Sequence, residues 1–343
     1  MVHTANFYLN LSAKDVKEIV YRFNKRITLI KDIVDGFFNW SKTKLFFDFG
    51  DENQYGRNCW VLQVEVDFIK LLNKIDINDD DYKIIEEEID KYVYFIFGHT
   101  EYKMSFTRID YRIDAKMNKN DIEVVLKLLT KSYQKYGFKK LKNTKEIIGK
   151  EKYEKLIKDN NMKKIETGLY FQSKSIKIHI YDKELERLSK GFEPEEYEKG
   201  ILRMEVRLYN RHLNYKKRVY NLTKELKTYL NKKFFNEYIT NNLEKFIHKG
   251  DYYKITLSQD IIDNSKLTLY QKKFLKEFLI DVSRSNLTNI MNLKNEKGKP
   301  KYSYIRRRNA LNMLEKLDIN PISIPKNWKC KNHIENPLKY IQS

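Results

Sequence analysis

Several short segments of the chain alternate polar and apolar residues with a period of two. They are WVLQVEVDF at 60–68, FTRIDYRID at 106–114, SIKIHIYD at 175–182 and LRMEVRLY at 202–209. Successive side chains of a strand point to opposite sides, so this alternation is typical of strands with one buried face. A further strand is predicted near 166–173, and its short connection to 175–182 favours antiparallel pairing. The chain is therefore predicted to contain a mainly antiparallel sheet.

Helical patterns separate and follow these strands. DDDYKIIEEEIDKYVYFIF at 79–97 and DIEVVLKLLTKSYQKYGF at 121–138 carry apolar residues at helical spacing, the second with Gly137 as its stop. A polar helix is predicted around 144–160. From about Asn210 onward three amphipathic segments with basic faces predict helices, and the tail at 322–343 is predicted to be irregular.

The order of these elements predicts an α+β fold in two domains. A chain of 343 residues with 41% hydrophobic residues is long enough for one large or two modest domains. Residues 1–217 are predicted to form an α+β domain with helices packed on its sheet, and residues 218–343 an all-helical C-terminal domain.

The net charge restricts the class of partner. The chain has 67 Lys and Arg against 47 Asp and Glu, a formal charge of +20. A chain this basic repels itself unless it meets a polyanion, and nucleic acid is the natural candidate. The 25 Tyr and 19 Phe fit stacking on unpaired bases, although most aromatic residues of any chain belong to its core. A lysine-rich surface without such a partner is the alternative.

Cysteine usage and hydropathy restrict the compartment. Cys59 and Cys330 lie far apart and form no CxxC pair, so neither a disulfide framework nor a cysteine zinc site is indicated. The chain has no run of about 18 apolar residues and no signal-peptide pattern. A cytoplasmic location without membrane spanning is therefore expected.

Acids and arginines share one face of three predicted strands. Period-two geometry gives this set as Glu65, Arg108, Asp110, Arg112, Asp114, Arg203, Glu205 and Arg207. Carboxylates converging from several strands supply the oxygen ligands that Mg²⁺ or Mn²⁺ needs, which predicts a metal site. The alternative is that these side chains form cross-strand ion pairs, which need no metal.

Tyr181 is the candidate nucleophile. It faces the same way as His179 and Lys183 on its strand. A phenol has a pKa of about 10, so it attacks phosphorus well only if a base, a cation or a metal favours the phenolate. Lys183 could lower that pKa or hold the scissile phosphate. The six histidines are scattered and form no His-hydrophobe-His pair, so a metal site here must be built from carboxylates.

The strand motifs resemble a known family. In order and character, FTRIDYRID, SIKIHIYDKELE and GILRMEVRLYNRHLNY resemble the rolling-circle replication initiators of Gram-positive plasmids, and still more the gene II/X replication proteins of filamentous phages. VLQVEVDFIKLLNK and KPKYSYIRRRNALNMLEKLDI resemble further segments of the phage family. The resemblance runs from about residue 60 to residue 325, and residues 1 to about 55 match less clearly.

The resemblance implies an endonuclease that nicks one strand of a replication origin and remains joined to the 5′ phosphate. By that resemblance Tyr181 matches the nucleophile, Lys183 follows it as in the family's YxK pattern, and Glu65, Asp110 and Glu205 fall in the family's acidic strand positions. Asp114 is a further candidate ligand. DNA would be the partner, together with a recruited host helicase, and the oligomeric state stays open.

Phosphate contacts and the second nucleophile have several candidates. The arginines proposed to bind phosphates are Arg108, Arg112, Arg203, Arg207, Arg306, Arg307 and Arg308. Termination needs a second nucleophile, and Tyr170, Tyr197 and Tyr209 are all near Tyr181 in sequence. Two rival functions stay open: a non-catalytic DNA-binding replication or partition regulator, and a metal-dependent nuclease that uses water.

Overall fold

The structure of the chain is a computed structural model that describes residues 2–49, 59–132, 139–145 and 165–341. The strands are β1 (Val2–Leu11), β2 (Ser41–Asp48), β3 (Cys59–Asp67), β4 (Ser105–Lys116), β5 (Lys139–Lys145), β6 (Ile165–Gln172), β7 (Ile176–Asp182), β8 (Ile201–Tyr209), β9 (Tyr252–Tyr253) and β10 (His333–Ile334). The helices are α1 (Ala13–Phe23), α2 (Ile27–Phe37), α3 (Phe68–Leu72), α4 (Tyr82–Phe97), α5 (Lys119–Leu129), α6 (Lys183–Leu188), α7 (Asn210–Tyr220), α8 (Leu226–Tyr229), α9 (Lys232–Ile247), α10 (Ile255–Asp263), α11 (Leu269–Arg284) and α12 (Tyr304–Lys316).

The predicted α+β class with an antiparallel sheet is confirmed. Hydrogen bonds join the main-sheet strands in the order β2-β3-β1-β4-β8-β7-β6-β5. The pairs β1–β3, β1–β4, β2–β3 and β5–β6 are antiparallel. The C-terminal region is helical as predicted, with one addition: β9 and β10 form a small antiparallel pair.

The strand β1 occupies an inner position that the strand motifs did not indicate. It pairs with β3 on one side, where Asn6 faces Glu65, and with β4 on the other, where Asn6 faces Arg108. Its residues from Thr4 to Leu11 alternate polar and apolar, as a strand with one buried face should. The acids of β3 and β4 are therefore not on neighbouring strands, because β1 lies between them.

The described residues cluster into two compact units. The first comprises Met1–Arg112, Lys174–Lys177 and Glu205–Ile239, and the second Ile113–Ser173, Ile178–Met204 and Thr240–Ser343. The strands β4, β7 and β8 thus contribute residues to both units. The predicted domain boundary between residues 217 and 218 falls inside α7, within the first unit.

Two predicted helices differ from the structure where it can be compared. The helix predicted over 121–138 is observed as α5, which ends at Leu129, and residues 133–138, including Gly137, lie outside the described residues. The helix predicted around 144–160 begins within β5, and its remainder from residue 146 also lies outside them. None of the described helices combines the length and apolar character that a membrane-spanning segment requires.

An aromatic cluster forms part of the core of the first unit. The fully buried Tyr111 of β4 packs against Tyr238 with ring centroids 5.7 Å apart, and against Phe235 at 5.9 Å. Its hydroxyl donates a 2.7 Å hydrogen bond to the backbone carbonyl of Tyr229. This bond joins β4 to α8. Without it, the buried carbonyl of Tyr229 would lose its hydrogen-bond donor.

The substitution Tyr111→Phe should lower the free energy of unfolding by about 0.5–1.5 kcal/mol, since it removes one buried hydrogen bond and keeps the ring. Urea denaturation followed by far-ultraviolet circular dichroism measures this change. The matched control is Tyr94→Phe, because Tyr94 is 56% exposed, and its effect should stay within about 0.5 kcal/mol. Equal effects of the two substitutions would contradict the assigned role of the Tyr111 hydroxyl.

Candidate functional site

Asp110 of β4 accepts hydrogen bonds from three side chains, those of Thr4, Arg108 and Arg207. It is 1% exposed. Arg108 and Arg207 each bring two guanidinium nitrogens to its carboxylate, so both of its oxygens accept from both arginines. The Arg207 contacts measure 2.9 Å from Nε to Oδ1 and 2.7 Å from Nη2 to Oδ2. Such paired geometry gives charge-assisted bonds that are stronger than neutral ones.

Thr4 and Glu65 extend this cluster. The hydroxyl of Thr4 on β1 donates to Oδ2 of Asp110 at 2.8 Å and accepts from Nη2 of Arg108 at 3.3 Å. Arg108 reaches in the other direction to Glu65 on β3, with 2.8 Å between Nη1 and Oε2. Arg108 thereby bridges two carboxylates that β1 keeps on non-adjacent strands.

Burial and charge act on the Asp110 carboxyl in opposite directions. Burial raises its pKa. The hydrogen bonds and positive charges of Arg108 and Arg207 together lower the pKa by more than burial raises it. The net pKa therefore lies well below its usual range. Asp110 is ionised at every pH at which the protein is expected to work.

Lys177 adds a further cation to the cluster around Asp110, and Glu205 adds a further carboxylate. Glu205 lies 3.8 Å from the ring Nδ1 of His3, counted from its Oε1. Burial lowers the pKa of Lys177, as does the nearby Arg207, while Glu205 and Asp110 act in the opposite direction. In this cluster three cations, those of Arg108, Lys177 and Arg207, face three carboxylates, listed as Glu65, Asp110 and Glu205.

The carboxylates in this arrangement do not fit a divalent cation. Both oxygens of Asp110 already accept from two guanidinium groups, and a metal bound there would have to displace an arginine. Within the described ranges, no group of three or more His, Cys, Asp or Glu side chains is arranged to hold a metal ion. The Mg²⁺ or Mn²⁺ requirement stays a prediction that this arrangement of side chains does not support.

Asp114 and Arg203 form a separate ion pair in the second unit. Two parallel hydrogen bonds of 2.8 Å join the guanidinium to the carboxylate, and Arg203 is 4% exposed. Arg112 is also buried, at 7% exposure. Arg112 and Arg203 therefore lie inside the fold, whereas the side chain of Arg108 is 13% exposed. The predicted role of all three in phosphate binding stays a prediction.

Tyr181 lies near the end of β7 in a stack of three rings. Its ring is parallel to that of His179, with centroids 4.1 Å apart, and His179 stacks in turn on Tyr170 of β6 at 4.1 Å. Tyr181 is 5% exposed, whereas the other two rings are half-buried. The prediction that His179 and Tyr181 share a face agrees with this stack.

Gly168 on β6 fixes the position of Tyr181. A Cβ atom placed on Gly168 would lie 2.5 Å from the Cβ of Tyr181 and 2.7 Å from the carbonyl oxygen of Ile180. Only glycine permits this approach of the two strands, because neither neighbouring atom is the end of a flexible side chain. The backbone of Tyr181 is therefore held against β6.

Lys183, the predicted partner of the nucleophile, begins α6 and contacts carboxylates. Its ammonium lies 2.9 Å from Oε2 of Glu186 and 3.3 Å from Oε1 of Glu198. Arg187 also pairs with Glu198, at 3.0 Å. These contacts fasten the acidic insertion to α6, and they direct the Lys183 charge to protein carboxylates.

The remaining candidates differ in their accessibility. Arg306 and Arg308 are exposed at the start of α12, and Arg306 lies over the Phe274 ring at 4.9 Å. Tyr197, one of the candidate second nucleophiles, is 63% exposed, and Tyr209 is half-buried at the end of β8. Tyr170 alone among these three is in the ring stack of Tyr181.

Three residues of the cluster were missed by the sequence motifs: His3, Thr4 and Lys177. The polar positions of β1 alternate with Ala5, Phe7 and Leu9, so the signal for a strand was present. Lys177 shares the polar face of its strand with His179 and Tyr181, which period-two geometry could have indicated. Their partners lie far away in sequence, and spacing alone could not identify them.

No family model, curated protein or solved structure matches the chain. The resemblance of its strand motifs to rolling-circle initiators therefore stays a prediction.

Proposed function

We propose that the chain initiates rolling-circle DNA replication by nicking one strand of an origin through Tyr181. The observation that carries the proposal is the fixed placement of this tyrosine: the strand contact at Gly168 and the stack on His179 hold its ring on a rigid element. A nucleophile gains from such placement, because orientation before reaction removes much of the entropic part of the barrier. The formal charge of +20 supports DNA in the cytoplasm as the partner.

The proposed step is a transesterification at one phosphodiester. The phenolic oxygen of Tyr181 attacks phosphorus, the new P–O bond to tyrosine forms, and the bond from phosphorus to the 3′ oxygen breaks. The phenol loses its proton and the departing 3′ oxygen gains one. The products are a 5′-phosphotyrosine and a 3′-hydroxyl primer. Attack of that 3′-hydroxyl, or of another, on the phosphotyrosine reverses the step and rejoins the strand.

Trapping the covalent intermediate tests the proposal. The protein is incubated with overlapping single-stranded oligonucleotides that tile the replicon encoding it, with Mg²⁺ or Mn²⁺ present in parallel samples. We expect a protein–DNA band that survives denaturing detergent and is removed by protease. Mass mapping after nuclease digestion should place the nucleotide on the Tyr181 peptide, and Tyr181→Phe should abolish the adduct while DNA binding persists.

The control substitution is Tyr170→Phe, which changes a ring of the same stack. It should leave the first adduct in place, and it should reduce rejoining only if Tyr170 is the second nucleophile. An undiminished adduct in Tyr181→Phe would reject the proposal. Cleavage that leaves an unblocked 5′ end would instead indicate a nuclease that uses water.

One observation favours a second candidate, a DNA-binding regulator without catalysis. Asp110 and Asp114 are both engaged by arginines, as expected of carboxylates with a structural role. If the chain is a regulator of this kind, the wild type and Tyr181→Phe should bind origin DNA equally, and neither should form a covalent adduct. The trapping experiment therefore separates the two candidates.

A further inference from the structure

The helix α7 and the turn after it carry several positive charges and no negative charge. From Asn210 to Lys224 the chain contains five Lys and Arg residues and no Asp or Glu. Leu213 is the buried apolar anchor of α7, and most of its other side chains are exposed. We call the residues Arg211, Tyr215, Lys217, Arg218 and Tyr220 the α7 surface.

The α7 surface has a regular geometry. With 3.6 residues per turn, Arg211, Tyr215 and Arg218 follow one another along one side of the helix, at steps of four and three residues. The two arginines are separated by about 10 Å along the axis, at 1.5 Å per residue. Cations and an aromatic ring thus alternate along a single stripe.

No described carboxylate lies within ion-pair distance of Arg211, Lys217 or Arg218. Two neighbouring groups respond to burial and to this excess of positive charge. Burial lowers the pKa of Lys224 to about 8, and Lys217 adds to the shift. Burial also lowers the pKa of His212 to about 4, with a further contribution from Lys216.

Two tyrosines of the α7 surface present their rings to solvent. Tyr215 is 44% exposed and Tyr220 is 61% exposed, with ring centroids 6.0 Å apart in an edge-to-face arrangement. The ammonium of Lys216 lies 4.6 Å from the centre of the Tyr220 ring. The contact holds that ring near the cationic stripe, as cation–π attraction favours.

We propose that the α7 surface binds single-stranded DNA, with its arginines and Lys217 on phosphates and Tyr215 stacked on a base. Unpaired bases present their faces to an aromatic ring, whereas the bases of a duplex are already stacked. A membrane surface is a poorer partner, because α7 lacks the broad exposed apolar face that such a helix inserts. The inference rests on the DNA partner of the proposed function but not on the chemistry of Tyr181.

Binding measurements on matched variants test the inference. Fluorescence anisotropy is recorded with a labelled oligothymidylate of about 16 nucleotides between about 50 and 200 mM salt. Replacing Lys217 and Arg218 together by glutamine should reduce the log–log salt slope by about 1.4, since each lost phosphate contact removes about 0.7. The control replaces Lys25 and Arg26, an adjacent exposed pair, in the same way.

Stacking is tested by Tyr215→Ala, which should weaken binding about 5- to 150-fold. Tyr21→Ala is its control, because Tyr21 is 89% exposed on α1, and it should leave the affinity unchanged. Melting temperatures of all variants confirm folding. Equal losses in the variant and control pairs, or tighter binding of a duplex of the same length, would overturn the inference.

The outcomes also separate this inference from the proposed function. If the wild type forms the covalent adduct but the α7 variants behave as their controls, only the inference fails. If the wild type binds no oligonucleotide at all, the inference and the proposed function fail together.

Discussion

Replacing Asp110 by alanine should lower the free energy of unfolding by about 3–5 kcal/mol, the cost typical of removing one partner from a buried ion pair. Asp110 is the only described carboxylate within ion-pair distance of Arg207, a half-buried residue whose side chain is 27% exposed. Arg108 would keep Glu65 as a partner. The loss should therefore fall mainly on Arg207, and urea denaturation measures it.

An exposed ion pair provides the control for Asp110→Ala. Glu18 lies 3.7 Å from Lys14 on α1, and their side chains are 56% and 85% exposed. Glu18→Ala should change stability by no more than about 0.5 kcal/mol, because water replaces such a contact readily. A similar small effect of Asp110→Ala would show that the two arginines do not depend on this carboxylate.

Acid titration of stability should report the same carboxylate. The Asp110 pKa is lowered in the folded protein, so its contribution to stability is complete above the unfolded-state value of about 3.9 and is lost as the pH falls through the folded-state value. The wild type should therefore lose stability below about pH 4. Asp110→Asn cannot titrate and should lose less over the same range, and identical acid profiles would contradict the assignment.

Gly168→Ala should destabilise the protein by at least about 1–3 kcal/mol, because the added methyl group meets the backbone of β7. The strands must move apart, and Tyr181 must move with them. The proposed function then predicts a lower yield of the covalent adduct as well. Thermal unfolding and the trapping assay measure the two effects separately.

The matched control is Gly36→Ala in α2. A methyl group there meets nothing within 4 Å, and alanine is favoured over glycine in a helix by up to about 1 kcal/mol. Gly36→Ala should thus leave stability unchanged or raise it. If the two glycine substitutions had the same effect, close approach at Gly168 could not be what holds Tyr181 in place.

Local patterns predicted the strands β3, β4, β7 and β8 and the helix α4 to within a few residues. Each has a strong period of its own, and period reflects which side is buried. The place of β1 was not predicted, since an inner position depends on pairing with segments about 50 and 100 residues away. Sequence spacing does not encode such pairing.

The candidate site was predicted only in part, because the sequence indicates which face of a strand a residue lies on but not which distant residue it contacts. Alternation placed Arg108, Asp110 and Arg207 on the polar faces of their strands, and the structure joins all three. The alternation could not show whether a metal or an arginine is the partner of Asp110. That choice depends on the way in which long side chains extend across neighbouring strands. Lys183 shows the same limit: its partner Glu198 comes from an insertion whose path the sequence did not reveal.

The inner position of β1 has a consequence for how the protein folds during its synthesis on the ribosome. β1 precedes both of its neighbours along the chain, and β3 and β4 end only at Asp67 and Lys116. The first unit also needs the segment that ends at Ile239. During synthesis the backbone groups on both edges of β1 therefore stay unpaired until β3 and β4 have been made. Unpaired strand edges favour mispairing and chaperone binding.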